Sequence, residues 1–339
     1  MRSVTIVSSA RIHFGFYNFL DDNIAWGGVG IAIDNPRIIV RVSESEEIKV
    51  DNRTNIDVSD VVNAVRDGLG VKGFSVEVLE AYPRHVGLGS TTQLALAIGY
   101  AVSLLYDLGL EIRDVAFKLG RGKYSGIGIA AFELGGFIVD SGRVVSSEGV
   151  VSPPSNVDDV PYPIYRQRIP KGWIFVVSII KNAKGCGLNN HDKLLEKPVP
   201  LPKDTQLEFY KTLMLYILPS IARKDLGTFA VALTKFQRMV IENLEKVLET
   251  SIQCEEAKGV MDIMARHGLI GVGQSIWGPM VYGIYPYHYR KALGVANSIT
   301  KEAKWRGYRI ESFVAEPRAS GVEITIARSR SNRTWRLIK

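Results

Sequence analysis

Cysteine is nearly absent from this sequence: Cys186 and Cys254 are its two. That is too few for a disulfide scaffold, and their separation matches no zinc-ligand pattern. There is no run of about eighteen apolar residues, so no membrane-spanning helix is expected. The N-terminal stretch Met1-Arg2-Ser3-Val4-Thr5-Ile6-Val7 lacks the charged-then-apolar order of a secretion signal and enters a strand at once. A cytoplasmic protein is therefore expected. Also missing are a Gly-Lys-[Ser/Thr] that would complete a Walker loop, a helix-turn-helix, a zinc finger, an aromatic-basic RNA signature, internal repeats and low-complexity segments. Histidine is scarce at five, and His191, His267 and His288 show no ligand spacing.

The 339 residues suggest two domains, with enough apolar content for two cores. The net charge of +7 is concentrated in part at the C-terminus, in Arg328, Arg330, Arg333, Arg336 and Lys339. A basic balance suits anionic substrates or nucleic acid. Without a nucleic-acid motif, a solvated basic tail is the expectation, with no nucleic-acid partner.

One stretch organises the chain. Pro83-Arg84-His85-Val86-Gly87-Leu88-Gly89-Ser90-Thr91-Thr92-Gln93 follows a strand-like segment, Phe74 to Leu79. It precedes a run from Leu94 to Tyr106 that is apolar nearly all round, as in a buried helix. Two glycines let the backbone bend and approach a ligand. Ser90, Thr91 and Thr92 supply hydroxyls and a helix cap, and the free N–H groups of the first turn sit at the positive end of the helix dipole. The device suits a phosphate group, the alternative being a capped tight turn. Arg84 and His85 just before the glycines favour phosphate.

The remaining pattern mixes strands and helices without a regular βαβ repeat, which points to α+β. Strands are expected at 3–16, 37–50 and 74–79, and helices at 57–70 and 111–119. A proline- and serine-rich loop over 152–163 marks a boundary, giving domains 1–168 and 169–339. In the second domain Trp173 to Ile180 reads as a buried strand. Leu207, Tyr210, Met214, Ile217 and Ile221 mark one core-facing helix, and the series Leu226, Phe229, Leu233, Phe236, Val240, Leu244 and Val247 marks another. The glycine-rich segments Trp26 to Gly30 and Gly120 to Gly128 read either as turns or as places where backbone closes on a ligand.

Pro83 to Thr91 resembles the phosphate-loop signature of the GHMP kinase superfamily. Ser8-Ser9-Ala10-Arg11-Ile12-His13-Phe14-Gly15 resembles the superfamily's opening motif. Gly271-Val272-Gly273-Gln274-Ser275-Ile276-Trp277-Gly278-Pro279 lies where its kinases carry a third, glycine-rich loop. Order and spacing match over nearly the whole chain. Together with Trp26-Gly27-Gly28-Val29-Gly30 and Ser125-Gly126-Ile127-Gly128, these phrases resemble the archaeal β-ribofuranosylaminobenzene (or -phenol) 5′-phosphate synthases of methanopterin biosynthesis. The resemblance implies a two-domain fold, with an N-terminal α/β phosphate-loop domain and a C-terminal ferredoxin-like domain whose glycine loop faces the first. It implies a reaction in which 4-hydroxybenzoate or 4-aminobenzoate joins phosphoribosyl pyrophosphate with loss of CO2 and pyrophosphate. A magnesium ion on the pyrophosphate and a homodimer are further implications.

Several residues become candidates on that basis. Arg11, His13, Arg84 and His85 are the catalytic candidates. Gly87, Leu88, Gly89, Ser90, Thr91, Thr92, Arg121, Lys123 and Ser125 are candidates for phosphate. Gly28, Gln274, Ser275 and Trp277 are candidates for the aromatic acid. The two histidines have an ordinary hydrogen-bonded alternative, Arg121 and Lys123 a solvated turn, and Trp277 a place in the core. The ligands of any metal are not identified, with Asp34, Glu133 and Asp140 the acids in view. GHMP kinases that use a catalytic base often carry it as Asp in Ser-Gly-x-Asp, and here that position is Gly128. Glycine cannot orient or deprotonate an accepting hydroxyl. An ATP-dependent small-molecule kinase is the second expectation, and a nucleic-acid binder the third.

Overall fold

In the computed structural model, residues 2–181, 183, 187–188, 192–286, 288–328 and 335–338 are described. The chain begins with β1 (Arg2–Asn18), β2 (Ile24–Ala25), β3 (Gly27–Ser43), β4 (Ile48–Asn52), helix α1 (Ser59–Leu69) and β5 (Phe74–Glu80). Helix α2 (Ser90–Leu105), α3 (Ile112–Lys118), α4 (Ile127–Glu133), β6 (Phe137–Asp140), β7 (Arg143–Val144) and β8 (Pro163–Gln167) follow. Then come β9 (Trp173–Ile180), α5 (Lys203–Lys211), α6 (Leu218–Arg223), α7 (Leu226–Leu248) and α8 (Glu255–Arg266). The last elements are β10 (Ile270–Gln274), β11 (Met280–Pro286), α9 (Tyr289–Trp305), β12 (Ile310–Ala315), β13 (Glu323–Arg328) and β14 (Trp335–Ile338).

The larger sheet runs β14-β13-β1-β3-β5-β4, with β6 paired to β3 and β8 to β6. Its spine is the antiparallel pair β1 and β3, running from Ser3 opposite Ser43 to Asn18 opposite Gly27 with register shifts between Ser9 and Arg11, His13 and Gly15, and Phe16 and Asn18. Their inner residues Val4, Ile6, Ile38, Val40 and Val42 are buried, as β-branched side chains on a pleated, half-buried surface should be. The smaller sheet, β10-β11-β9-β12, is antiparallel. Helices α8 and α9 cover one face through Val260, Ile263, Ala292, Ala296 and Ile299. The other face joins the main core, where Phe175 and Tyr282 share a cluster with Phe229 and Phe236 of α7 and with Phe14 of β1. No helix among the described residues is long and apolar enough to cross a membrane.

Three expectations change here. Residues 323–338 fall in the expected second domain, yet β13 pairs with β1 and extends the first sheet, so the chain does not divide cleanly at 168. Strand periodicity reports a buried face but not which open edge a strand will complete. The segment Gly27 to Gly30 is neither a turn nor a ligand loop; it is the start of β3, paired to β1 and β6. The stripe from Leu207 to Ile221 is not one core-facing helix. A π-helical stretch, Thr212–Ile217, interrupts it, which shifts the buried face to Phe209, Leu213, Ile217 and Ile221 and leaves Leu207 and Met214 exposed. Cys254 is disulfide-bonded, and Cys186 lies outside the described residues. The basic tail also lies largely outside them, apart from the β14 backbone.

Candidate active site

Helix α2 carries the site. Its apolar residues bury it between the larger sheet and helices α1, α3 and α4, so its N-terminus is fixed in depth. Gly89 is the N-cap at φ 79°, and no side chain caps the helix, contrary to the expected hydroxyl cap. The first-turn N–H groups therefore keep their donors for a ligand. A cavity of about 360 Å³ opens there. Arg11, His13, His85, Gly87, Gly89, Ser90, Thr91 and Thr92 line it. So do Gly120 to Ser125, Gly128, Ile129 and Trp277. None of these residues is acidic.

Arg11 is the dominant charge. It extends from β1 and is buried beneath the loop, where Nη1 donates to the carbonyl of Gly87 at 2.6 Å. Its Nε has no hydrogen-bond partner, and no ion pair of Arg11 is found among the described residues. Burial without an acid lowers its pKa to about 10. A guanidinium held this way attracts an anion from the solvent. Gly89 completes the fit, since a Cβ there would stand 3.1 Å from Arg11 Nε. Arg121, also in the lining, donates Nε to Leu119 O at 3.0 Å, and burial lowers its pKa too. Lys123 lines the cavity while paired to Glu196 at 2.8 Å.

His13 is buried, and burial beside Arg11 pushes its pKa well below the usual value. Nδ1 accepts from Gly15 N at 3.1 Å, so the ring proton sits on Nε2, 2.9 Å from Ser125 Oγ. Ser125 in turn donates to Asp140 Oδ2 at 3.1 Å. Asp140 also accepts from the N–H groups of Gly28 and Gly126 at 2.7 Å and Gly142 at 3.0 Å. Burial raises its pKa against these bonds. His13, Ser125 and Asp140 form a filled hydrogen-bond chain that fixes the Ser125–Gly128 turn. Gln93 Nε2 donates to Gly128 O at 2.7 Å and ties the same turn to α2.

Not every candidate reaches the cavity. Arg84 is held by Asp60 through two bonds of 2.7 Å and fastens α1 to the loop. Leu88 is buried, and its carbonyl accepts Arg11 N at 3.1 Å. Gly28 lies behind Ser125, where a Cβ would come within 2.7 Å of Asp140 Oδ2. Gln274 is buried and donates Nε2 to Ile252 O at 3.2 Å. Ser275 Oγ donates to Gly87 O at 2.7 Å. Ser275 thus braces the Gly87 loop, Gln274 is tied to Gln237 and Ile252, and neither lines the cavity. Trp277 does, with its ring edge-on to His13 at 6.2 Å and to Phe16 at 6.5 Å. His85 lines the rim at φ 62°. Tyr124 and Ile129 join the lining although the sequence reading passed over them. The glycine-rich 120–128 stretch was the available signal for both.

The residues do not fit a resident magnesium ion. Among the described residues no cluster of three or more His, Cys, Asp or Glu exists. Asp140 has its oxygens committed to four donors, and Asp34 accepts Glu316 N at 2.8 Å outside the cavity.

Residues 57–136 match the model of the GHMP kinases N terminal domain, and residues 217–297 that of the GHMP kinases C terminal domain. The chain is 32% identical over 304 residues to a beta-ribofuranosylphenol 5′-phosphate synthase of Archaeoglobus fulgidus, covering 88% of this chain and 92% of that one. A protein of the same name from Methanocaldococcus jannaschii is 29% identical over 82% of this chain and 88% of its own. Among solved structures, homoserine kinase from Cytophaga hutchinsonii superposes with a TM-score of 0.66 at 16% identity, covering 95% and 97% of the two chains. That likeness shows the fold alone.

Proposed function

Because the chain belongs to the β-ribofuranosylphenol 5′-phosphate synthase family, on the GHMP kinase fold, we propose that it joins a para-substituted benzoic acid to phosphoribosyl pyrophosphate with release of CO2 and pyrophosphate. The observation that carries this is a cationic cavity without an acid: Arg11 buried and unpaired at a helix N-terminus, and glycine at position 128. The phenol in the relatives' name favours 4-hydroxybenzoate over 4-aminobenzoate.

The chemistry matches that inventory. The ring carbon bearing the carboxylate, enriched by the para hydroxyl, attacks C1 of the ribose. The C1–O bond breaks, and pyrophosphate leaves with its electron pair. The bond to the carboxylate then breaks, CO2 departs, and those electrons restore the aromatic ring. No proton leaves the attacking atom, so no base is required at position 128. What the site must supply is charge stabilisation for the leaving pyrophosphate and alignment of the two reactants. Arg11, Arg121 and the uncapped N–H groups of α2 serve the phosphates. The wall of His13, Trp277 and Ile129 carries no formal charge, because His13 is neutral. An aromatic acid lying along it loses water from its carboxylate, which favours the neutral CO2 that leaves. Magnesium arrives with the pyrophosphate as part of the donor, since the described residues offer no carboxylate set of their own.

The test is product identity. Purified protein with magnesium, phosphoribosyl pyrophosphate and 4-hydroxybenzoate should yield, by mass spectrometry, a carbon-linked ribosylphenol phosphate lacking the carboxyl group. ADP formed from ATP and a small alcohol, with no such product, would instead support a kinase.

A further inference from the structure

Arg143 belongs to no motif, lines no part of the cavity, and is buried on the two-residue strand β7. Its backbone is fixed by pairing with Ala25. Among the described residues its guanidinium meets only carbonyls in its hydrogen bonds: Nη1 reaches Lys123 O at 2.5 Å and Gly122 O at 3.3 Å, and Nη2 reaches Ser152 O at 2.9 Å. Among the described residues no carboxylate lies within ion-pair distance of it. The two loop carbonyls belong to the segment Gly120 to Tyr124, every residue of which lines the cavity.

We propose that Arg143 is a positioning residue for the phosphate-binding wall, acting through Arg121. By drawing the carbonyls of Gly122 and Lys123 to the back of the loop, it fixes the backbone on which Arg121 is carried. Three carbonyls on two sides of one planar head require the guanidinium fork; a lysine ammonium keeps the charge but is a point donor on a flexible stem. Among the described residues no ion pair offsets the charge of Arg143, although Asp159 lies near enough to act on it electrostatically. The inference deepens the reading of this cavity as a site for phosphoribosyl pyrophosphate and rests on it.

The experiment compares wild type, Arg143→Lys, Arg121→Ala and the double variant. It measures the KM of each substrate, and calorimetric binding of inorganic pyrophosphate with magnesium. Arg143→Lys should raise the KM for phosphoribosyl pyrophosphate and weaken pyrophosphate binding about tenfold, with the KM for the aromatic acid within about twofold of wild type. In the Arg121→Ala background the same change should cost less than about threefold, because residues acting as one unit are not additive. Equal effects on both substrates, or the full tenfold loss with Arg121 already gone, would reduce Arg143 to a structural residue and overturn the proposal. Arg143→Gln, which keeps a donor for one carbonyl, undergoes the same comparison, so the outcome does not depend on the folding of a single variant. Wild-type protein that binds no pyrophosphate would overturn the reading of the cavity itself, and the role of Arg143 with it.

Discussion

Arg11 donates Nη1 to the carbonyl of Gly87 at 2.6 Å, so the site's central charge is locked to the loop it serves. The same carbonyl accepts Ser275 Oγ at 2.7 Å. Three motifs far apart in sequence, those around Arg11, Gly87 and Ser275, thus converge on one peptide group. With its carbonyl tied back on both sides, the peptide orientation of the loop is set before any ligand arrives. This is the preorganisation that electrostatic catalysis requires.

Replacing Arg11 by lysine should therefore do more than trim an affinity. The ammonium retains charge but cannot span Gly87 O and a phosphate in one plane. A fall of about 10²-fold in kcat/KM for phosphoribosyl pyrophosphate is expected, with the fold intact. Steady-state kinetics, with a thermal melt as the control, checks both parts.

Gly89→Ala carries a cost in stability as well as function. The residue sits at φ 79°, and the added methyl would stand 3.1 Å from Arg11 Nε. About 1–2 kcal/mol of destabilisation is expected from the left-handed backbone, together with loss of turnover as Arg11 is displaced. Denaturant titration separates the two effects. Unchanged stability would mean that the loop adopts another conformation without strain.

Gly128→Asp places a carboxylate where many superfamily kinases have one. The first atom is a tight fit, since a Cβ would stand 3.3 Å from Thr92 Cγ2, and the Thr92 side chain must give by a few tenths of an ångström. The new charge faces Arg11 and Arg121 and competes with phosphate for them. Synthase activity should fall by at least about tenfold with no ATP-dependent phosphorylation gained. Measurable ADP production by the variant would count against the account of the site.

A pH effect follows from His13. Burial holds its folded pKa below the unfolded value of about 6.5, so the unfolded chain binds the proton more readily. This contribution to stability is fully present above pH 6.5 and is lost as pH falls below it toward the folded pKa. Asp140 acts with the opposite sign in a lower window: its folded pKa is raised, so it stabilises the fold most when protonated and loses that contribution as pH rises from about 3.8 through the folded value. Unfolding free energy should drop by about 1 kcal/mol between pH 7 and 5.5 on account of His13. His13→Gln should flatten that drop in urea titrations at the two pH values.

The sequence made much of this site legible because phosphate binding is written in short, local phrases. Gly87, Gly89 and the following apolar helix announce themselves by spacing, and Trp277 by its place in a turn. Arg11 was legible as a charge but not as a buried one. Gly28, Gln274 and Ser275 fall outside the cavity lining, because a motif reports proximity to a site without depth. The glycine packs against Asp140, Gln274 bonds Ile252 O, and Ser275 braces the back of the loop. Arg143 carried no signal, since a lone arginine that binds carbonyls has no spacing to read. The π-helical stretch at 212–217 was likewise hidden, because its one-residue insertion mimics an ordinary helical stripe on either side.

The most direct test of the central claim is release of labelled CO2 from carboxyl-labelled 4-hydroxybenzoate by the purified protein with magnesium. Release should depend on phosphoribosyl pyrophosphate, equal the pyrophosphate formed mole for mole, and fall about 10²-fold in Arg11→Lys. CO2 release without phosphoribosyl pyrophosphate, or pyrophosphate formation without CO2, would contradict it.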